Sequence, residues 1–308
     1  MRVTQKSSID ALLGHVNRIR EDLYQSQQVI NSGVEVEKPS DDPMRARKIM
    51  MLNDQISRRN RFTENISSTM TKLHHTESEL QSAEDLLVEA RTLAVQGSTG
   101  TLNSDDRATL AVRVDQILHE MASVANSRHG ESYLFGGFNT REAPYQMIED
   151  SVTGDVTQVQ DLPTGMDGTT YTIIGENEKI PSNIPGTEIF QTGSPGEDGD
   201  VFQVLIDLRD ALRNDNLEGI QNSLDKIDDS ADRIRLSISK LGGIVRRLEN
   251  VDNRMKDLNL DSEEHLSKIQ DADIALWAKD YELHRVALQN AMQIGTQVIT
   301  SSLIDFIR

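Results

Sequence analysis

The chain has no cysteine among its 308 residues. Disulfides and thiolate metal sites are therefore excluded, and either redox compartment would suit it. Aromatic residues are only 4% of the total, which favours thin helical bundles over a large globular core. No apolar run approaches the ~18–20 residues that span a bilayer, so no membrane partner is expected. Basic residues are outnumbered 32 to 50, giving a net charge of −18. A nucleic-acid backbone is accordingly a poor partner. The stretch Met1 to Lys6 is positive, but Asp10 and His15 interrupt any signal-peptide core. Export is expected to proceed without a cleaved signal.

Proline is scarce and confined. Its seven positions are Pro39, Pro43, Pro144, Pro163, Pro181, Pro185 and Pro195. Because proline breaks helix interiors, the spans 44–143 and 197–308 are free to be helical. The first helix is marked by Ile9, Leu12, Val16, Ile19, Leu23 and Ile30, with Gly33 as its stop. After a polar loop, Ser40 or Asp41 is positioned to cap a second helix running from Pro43 to about Gln96. Its ladder is Leu52, Ile66, Leu73, Leu80, Leu87 and Ala94, with Arg59 as the polar member. A turn over Gly97–Asn103 leads to a third helix from Ser104, lined by Leu110, Val114, Ile117 and Met121.

From Tyr133 the texture changes. Tyr133 to Phe138 reads as an aromatic hairpin turning on Gly136 and Gly137. Tyr145 to Asp200 carries eleven acidic residues against Lys179 alone, and its short alternating runs predict a small β-rich domain. Helix resumes over Val201–Arg213. Leu217, Ile220, Leu224, Ile227, Ala231, Ile234, Ile238, Leu241, Val245 and Leu248 then step by three and four, the seam of a bundle core.

A polar turn over Asn259–Ser262 is expected to precede a last helix, Ser262–Phe306, about 68 Å long. Its large side chains, Trp277, Tyr281, Leu288, Met292, Ile299 and Leu303, repeat every eleven residues. Such a stripe runs almost straight along a helix, and Phe306 extends its apolar end. The first helix would cover only about 35 Å of it. Both terminal seams are therefore expected to pack between subunits.

Candidate chemistry is thin. The seven histidines are scattered, and the neighbours His74 and His75 point about 100° apart on a helix, unlike a zinc pair. Asp271 and Asp273 diverge on a helix and suit capping or intersubunit hydrogen bonds better than a cation. Glu197-Asp198-Gly199-Asp200 lacks the spaced ligands of a calcium loop. Asn65-Ile66-Ser67 fits a glycosylation sequon but falls in mid-helix. No phosphate loop, dinucleotide fingerprint or nucleophile elbow occurs. Neither catalysis nor a cofactor is expected.

Four stretches carry a resemblance. They are Ile30-Asn31-Ser32-Gly33 with Pro39-Ser40-Asp41-Asp42-Pro43; Ala90 to Gly97 with Ser104-Asp105-Asp106-Arg107; Asn126 with Tyr133 to Gly137; and Ser267 to Ala275. In this order they resemble the bacterial flagellin family of axial proteins. Pro43-Met44-Arg45, and the ending Ser302 to Arg308, differ from flagellin itself and are more similar to the family's hook–filament junction proteins. The resemblance implies a mainly α, elongated rod of long antiparallel helices with a β-rich inserted domain. It would comprise coaxial terminal helices (1–38 with 270–308), a helical rod (39–144 with 200–269) and an acidic outer insertion (145–199).

It also implies a structural part of the flagellum, outside the cell at the hook–filament junction, exported unfolded by the type III route. Expected partners are further copies in a helical or ring layer, the neighbouring junction protein, flagellin, and an export chaperone on the C-terminal helix. A minor flagellin and a cytoplasmic coiled-coil scaffold are the alternatives.

Overall fold

The computed structural model describes residues 2–151, 154–161, 165–190 and 199–307; the side chains of 2–6, 8, 9 and 297–307 lie outside the description. Among the described residues the chain is mainly helical, 71% by residue. In order, it forms α1 (Arg2–Ser32), α2 (Pro43–Gly97), α3 (Ser104–Ala125), β1 (Arg128–His129) and β2 (Ser132–Tyr133). There follow β3 (Tyr145–Glu149), β4 (Val156–Asp161), β5 (Tyr171–Ile173), β6 (Lys179–Pro181) and α4 (Gly186–Ile189). It ends with α5 (Val201–Arg213), α6 (Leu217–Gln270) and α7 (Ile274–Ile307). Two compact units result, Met1–Arg58 with Asp257–Arg308, and Arg59–Lys256. No described helix is long and apolar enough to cross a membrane.

The larger unit is built on the predicted α2 ladder. Ile66, Leu73, Leu80, Leu87 and Ala94 are fully buried, as are Ile220, Ile227, Ile234, Leu241 and Leu248 of α6. Arg91 Nε donates to Asp228 Oδ1 (2.6 Å), and Arg235 Nε to Glu84 Oε1 (2.7 Å). The paired numbers rise on one helix and fall on the other, so these segments are antiparallel. The same register sets buried Ala83 and Ala90 at the level of buried Ser237 and Ser230. Small residues at these levels allow the backbones to approach. Ser223, Ser230 and Ser237 each satisfy the hydroxyl on the carbonyl four residues back, at 2.9, 2.8 and 3.0 Å. A buried polar ladder is thus accommodated without cross-helix partners.

α3 starts as predicted, on a capping box in which Asn103 and Asp106 exchange side-chain-to-backbone hydrogen bonds. Opposite it, α5 is capped by Asp200, which accepts from the Phe202 amide (2.8 Å). Glu197 and Asp198, the start of the acidic turn considered above, lie outside the described residues.

The hairpin is displaced from its expected place. β2 ends at Tyr133 and pairs back with β1, Arg128 facing Tyr133, so the chain turns at Gly130–Glu131. Gly136 and Gly137 instead belong to a later bend, in which the Asn139 amide donates to Gly136 O (3.0 Å). Leu134 and Phe135 stay buried. Burial of these side chains fixes the segment together with backbone hydrogen bonds from the Tyr133 amide to Thr140 O (2.9 Å) and from the Leu134 amide to Ser127 O (3.0 Å).

The insertion consists of two-stranded antiparallel sheets, β3–β4 and β5–β6. Its Val156, Val159, Met166, Ile174, Ile180 and Phe190 belong to the same buried cluster as the helices. Phe135, Tyr145, Phe190 and Phe202 make edge, tilted and stacked ring contacts 5.1–6.0 Å apart. The sequon residue Asn65 is engaged here, its amide donating to the Ile173 carbonyl (3.1 Å).

Two buried polar groups in this unit have opposite energetic roles. Arg107 pairs with Asp215 and donates to the carbonyls of Gly97 (2.8 Å) and Thr99 (2.9 Å). It therefore ties the α2–α3 turn to the α5–α6 turn. Tyr145 Oη is buried without a hydrogen-bond partner among the described residues, and burial pushes its pKa up. Arg107→Ala should lower stability by about 3 kcal/mol, whereas Tyr145→Phe should raise it by about 1 kcal/mol. Urea midpoints of the two variants against the parent chain check both signs.

Candidate assembly interface

The smaller unit contains both terminal helices. Gly33, at φ +72°, ends α1, and the chain then runs extended past a counterpart break, Asp271–Asp273. The Ala272 amide donates to Gly33 O (2.9 Å) and the Glu35 amide to Gln270 O (2.8 Å), forming an antiparallel bridge between Val34 and Asp271. Both interruptions are capped by aspartate. Asp42 Oδ1 accepts from the Met44 (2.9 Å) and Arg45 (3.0 Å) amides. Asp273 Oδ1 accepts from Ala275 (3.0 Å) and Leu276 (3.2 Å). The amide donors at Arg45, then Met44, hold the Asp42 carboxyl below its ordinary 3.8. The cap's stabilisation is thus present above that value and is lost as pH falls through the lowered pKa.

These breaks alter two expectations. Asp42, rather than Ser40 or Asp41, caps α2. There is no turn at 259–262, and α6 continues unbroken to Gln270. The polar side chains there do not force an exit from helix; Ser262, for one, donates back to Leu258 O (2.8 Å). The last helix therefore begins at Ile274 and, at 34 residues, spans about 51 Å against about 46 Å for the 31 residues of α1. The anticipated overhang of roughly 30 Å is absent. The two helices are close to equal in length.

They pair with each other. A β-carbon at Gly295 would meet Leu12 Cδ2 at 3.2 Å; with the Gly33–Ala272 contact, this fixes an antiparallel run. Ile19 and Ala291 are buried, and Leu12, Val16, Leu23, Ile30, Trp277, Tyr281 and Leu288 are partly buried. Much of the stripe read from the sequence therefore lies along the pairing within one chain. Met292 does not, being 56% exposed. The side chains of Ile9, Ile299, Leu303 and Phe306 lie outside the described residues.

A second stripe stands open to solvent. Leu276 (51% exposed), Leu283 (57%) and Ile294 (54%) follow at steps of seven and eleven, two and three helical turns. Val286 flanks them. On α1, Leu13 and Tyr24 are also exposed and eleven apart. On each helix the open line is about 100° from the pairing face. The eleven-residue spacing of the largest side chains hid these positions in the sequence, although the same four-and-seven stepping, begun with a seven at Leu276, passes through Leu283, Ala287 and Ile294.

Among the described residues no three His, Cys, Asp or Glu side chains group as metal ligands. His74 and His75 face Glu77 and Glu79 on their own helix, at 3.5 and 3.6 Å. What the surface offers is an uncovered apolar face on a paired, capped helix. If the antiparallel register is correct, oxidation of a Leu12→Cys, Gly295→Cys chain should give an internally bridged monomer, visible by non-reducing electrophoresis; exclusively intermolecular bridges would refute it.

Comparison with known proteins covers both units of the chain. Residues 4–140 match the family model described as the bacterial flagellin N-terminal helical region. The chain is 24% identical over 288 residues to flagellar hook-associated protein 3 of Escherichia coli, covering 90% of each. It is 24% identical to flagellin FlaB1 of Treponema pallidum, covering 96% of this chain and 95% of that one. Its fold is similar to the crystal structure of the flagellar junction protein FlgL of Legionella pneumophila, with a TM-score of 0.57, 15% identity and coverage of 72% and 99%.

Proposed function

We propose, for a chain that belongs to the bacterial flagellin family, a structural and non-enzymatic role in joining the flagellar hook to the filament. The observation that carries the assembly step is the open stripe Leu276, Leu283, Val286 and Ile294, on a helix whose other apolar face is already taken. Burying these four side chains against a neighbour would contribute on the order of 8 kcal/mol at ~2 each, an upper bound. That is enough to make the position of α7 depend on neighbouring copies. The paired seam from Leu12 to Ile30 and from Trp277 to Leu288 then serves twice. It aligns the two ends within a subunit and supplies its partly exposed edges, Met292 among them, to the next.

The departures from flagellin at Pro43-Met44-Arg45 and at Ser302 to Arg308 favour a junction role above a minor flagellin. In this reading copies assemble into a layer outside the cell, with a second junction protein on one side and flagellin on the other. Export occurs unfolded and without a cleaved signal. The absence of cysteine suits that route, since no disulfide has to be opened. A chaperone covering α7 before export would shield the open stripe from aggregation.

Leu276→Glu with Leu283→Glu should preserve helicity and monomer solubility yet abolish incorporation at the hook tip, with unpolymerised flagellin released into the medium. Immunogold localisation and assay of the culture supernatant check this. Filaments of normal number and length would refute the proposal.

A further inference from the structure

The smaller unit also contains the first part of α2 and the last part of α6. Val36, Ala46 and Ile49 pack with Leu266 and Ile269 between them. The outer sides of these segments carry opposite charge. Residues 43–58 contain four basic side chains and one acidic, whereas 257–270 contain four acidic and one basic.

The exposed positions share one pattern. On α2, Met44, Arg47, Lys48 and Met51 are exposed at i, i+3, i+4 and i+7. On α6, Asp257, Leu260, Asp261 and Glu264 repeat that spacing, with Leu260 66% exposed. Each set is one helical face about 10 Å long. One presents two cations between two methionines, and the other presents carboxylates around a leucine. Among the described residues, Arg47, Lys48, Asp257 and Asp261 make no ion pair within the chain. Apart from a longer-range action of Lys48 on the Asp42 carboxyl, their charges are left available to something else.

We propose that the occupant of each face is a second copy of this chain, the α2 face of one subunit docking on the α6 face of the next. Because both halves are carried by every copy, the contact is heterologous and propagates around a layer instead of closing as a dimer. The exposed methionines adapt to the leucine, while opposite charge sets partner and register and like-on-like pairing is disfavoured. This inference rests on the assembly reading above but uses a surface separate from the terminal stripe.

Charge exchange tests it in the full-length chain. Arg47→Glu with Lys48→Glu, or Asp257→Lys with Asp261→Lys, should each cut incorporation into the flagellum at least tenfold while circular dichroism stays unchanged. The chain carrying all four substitutions should regain incorporation to within about threefold of the parent, since each face again meets its opposite. Independently, a Met51→Cys chain coexpressed with a Leu260→Cys chain should give a mixed dimer with a short bis-maleimide, and neither alone should do so. Normal incorporation of both charge-reversed chains would overturn the inference and leave the junction role standing. So would a folded quadruple variant as defective as its parents. Failure of the unmodified chain to assemble would overturn both.

Discussion

One partner helix cannot cover a helix that is apolar on two sides. This constraint governs the smaller unit. α1 and α7 are nearly equal in length, pair antiparallel and are joined at their inner ends by the Gly33–Ala272 and Glu35–Gln270 hydrogen bonds. The pairing buries Ile19 and Ala291 but leaves Leu276, Leu283 and Ile294 in water. Marginal order in the isolated chain and strong order in an assembly follow from the same unfilled face. Helix formation this long depends on tertiary packing more than on intrinsic propensity.

The larger unit meets a different requirement. Its helices have all-buried ladders, Ile66 to Ala94 and Ile220 to Leu248, and cross-helix ion pairs that fix their register. Serines at 223, 230 and 237 occupy a seven-residue ladder of their own, hydrogen bonded backward along the helix. The insertion contributes apolar side chains to this core, and its Asp155 and Glu178 pair with Arg213 of α5 and Arg247 of α6. Here one continuous core closes within the chain, with Phe138, Ile173 and Leu236 left exposed at its surface. The contrast between a completed unit and an uncompleted one is the physical basis for a component that folds alone but functions in an array.

Local signals predicted local structure well. Proline positions delimited the helical spans, and the expected starts at Pro43, Ser104, Val201 and Leu217 are those of α2, α3, α5 and α6, although the capping residue of α2 is Asp42. Three features were not legible, each because its cause is remote in sequence. The break at 271–273 contains neither proline nor glycine; it is held by Asp273 and by strand pairing with Val34, more than 230 residues away. The hairpin lies earlier than the glycines suggested because Leu134 and Phe135 are needed in the core. The open stripe of α7 was masked by a heavier one, and only the position of α1 reveals which of the two is free.

Amide hydrogen exchange, compared between the free chain and chain built into flagella, measures this division directly. In the free chain, amides of α1 and α7 should exchange at least 100-fold faster than those of 66–94 and 220–248, and in the assembled state they should be protected to a similar degree. Equal protection of the terminal helices and the larger unit in the free monomer would contradict the account.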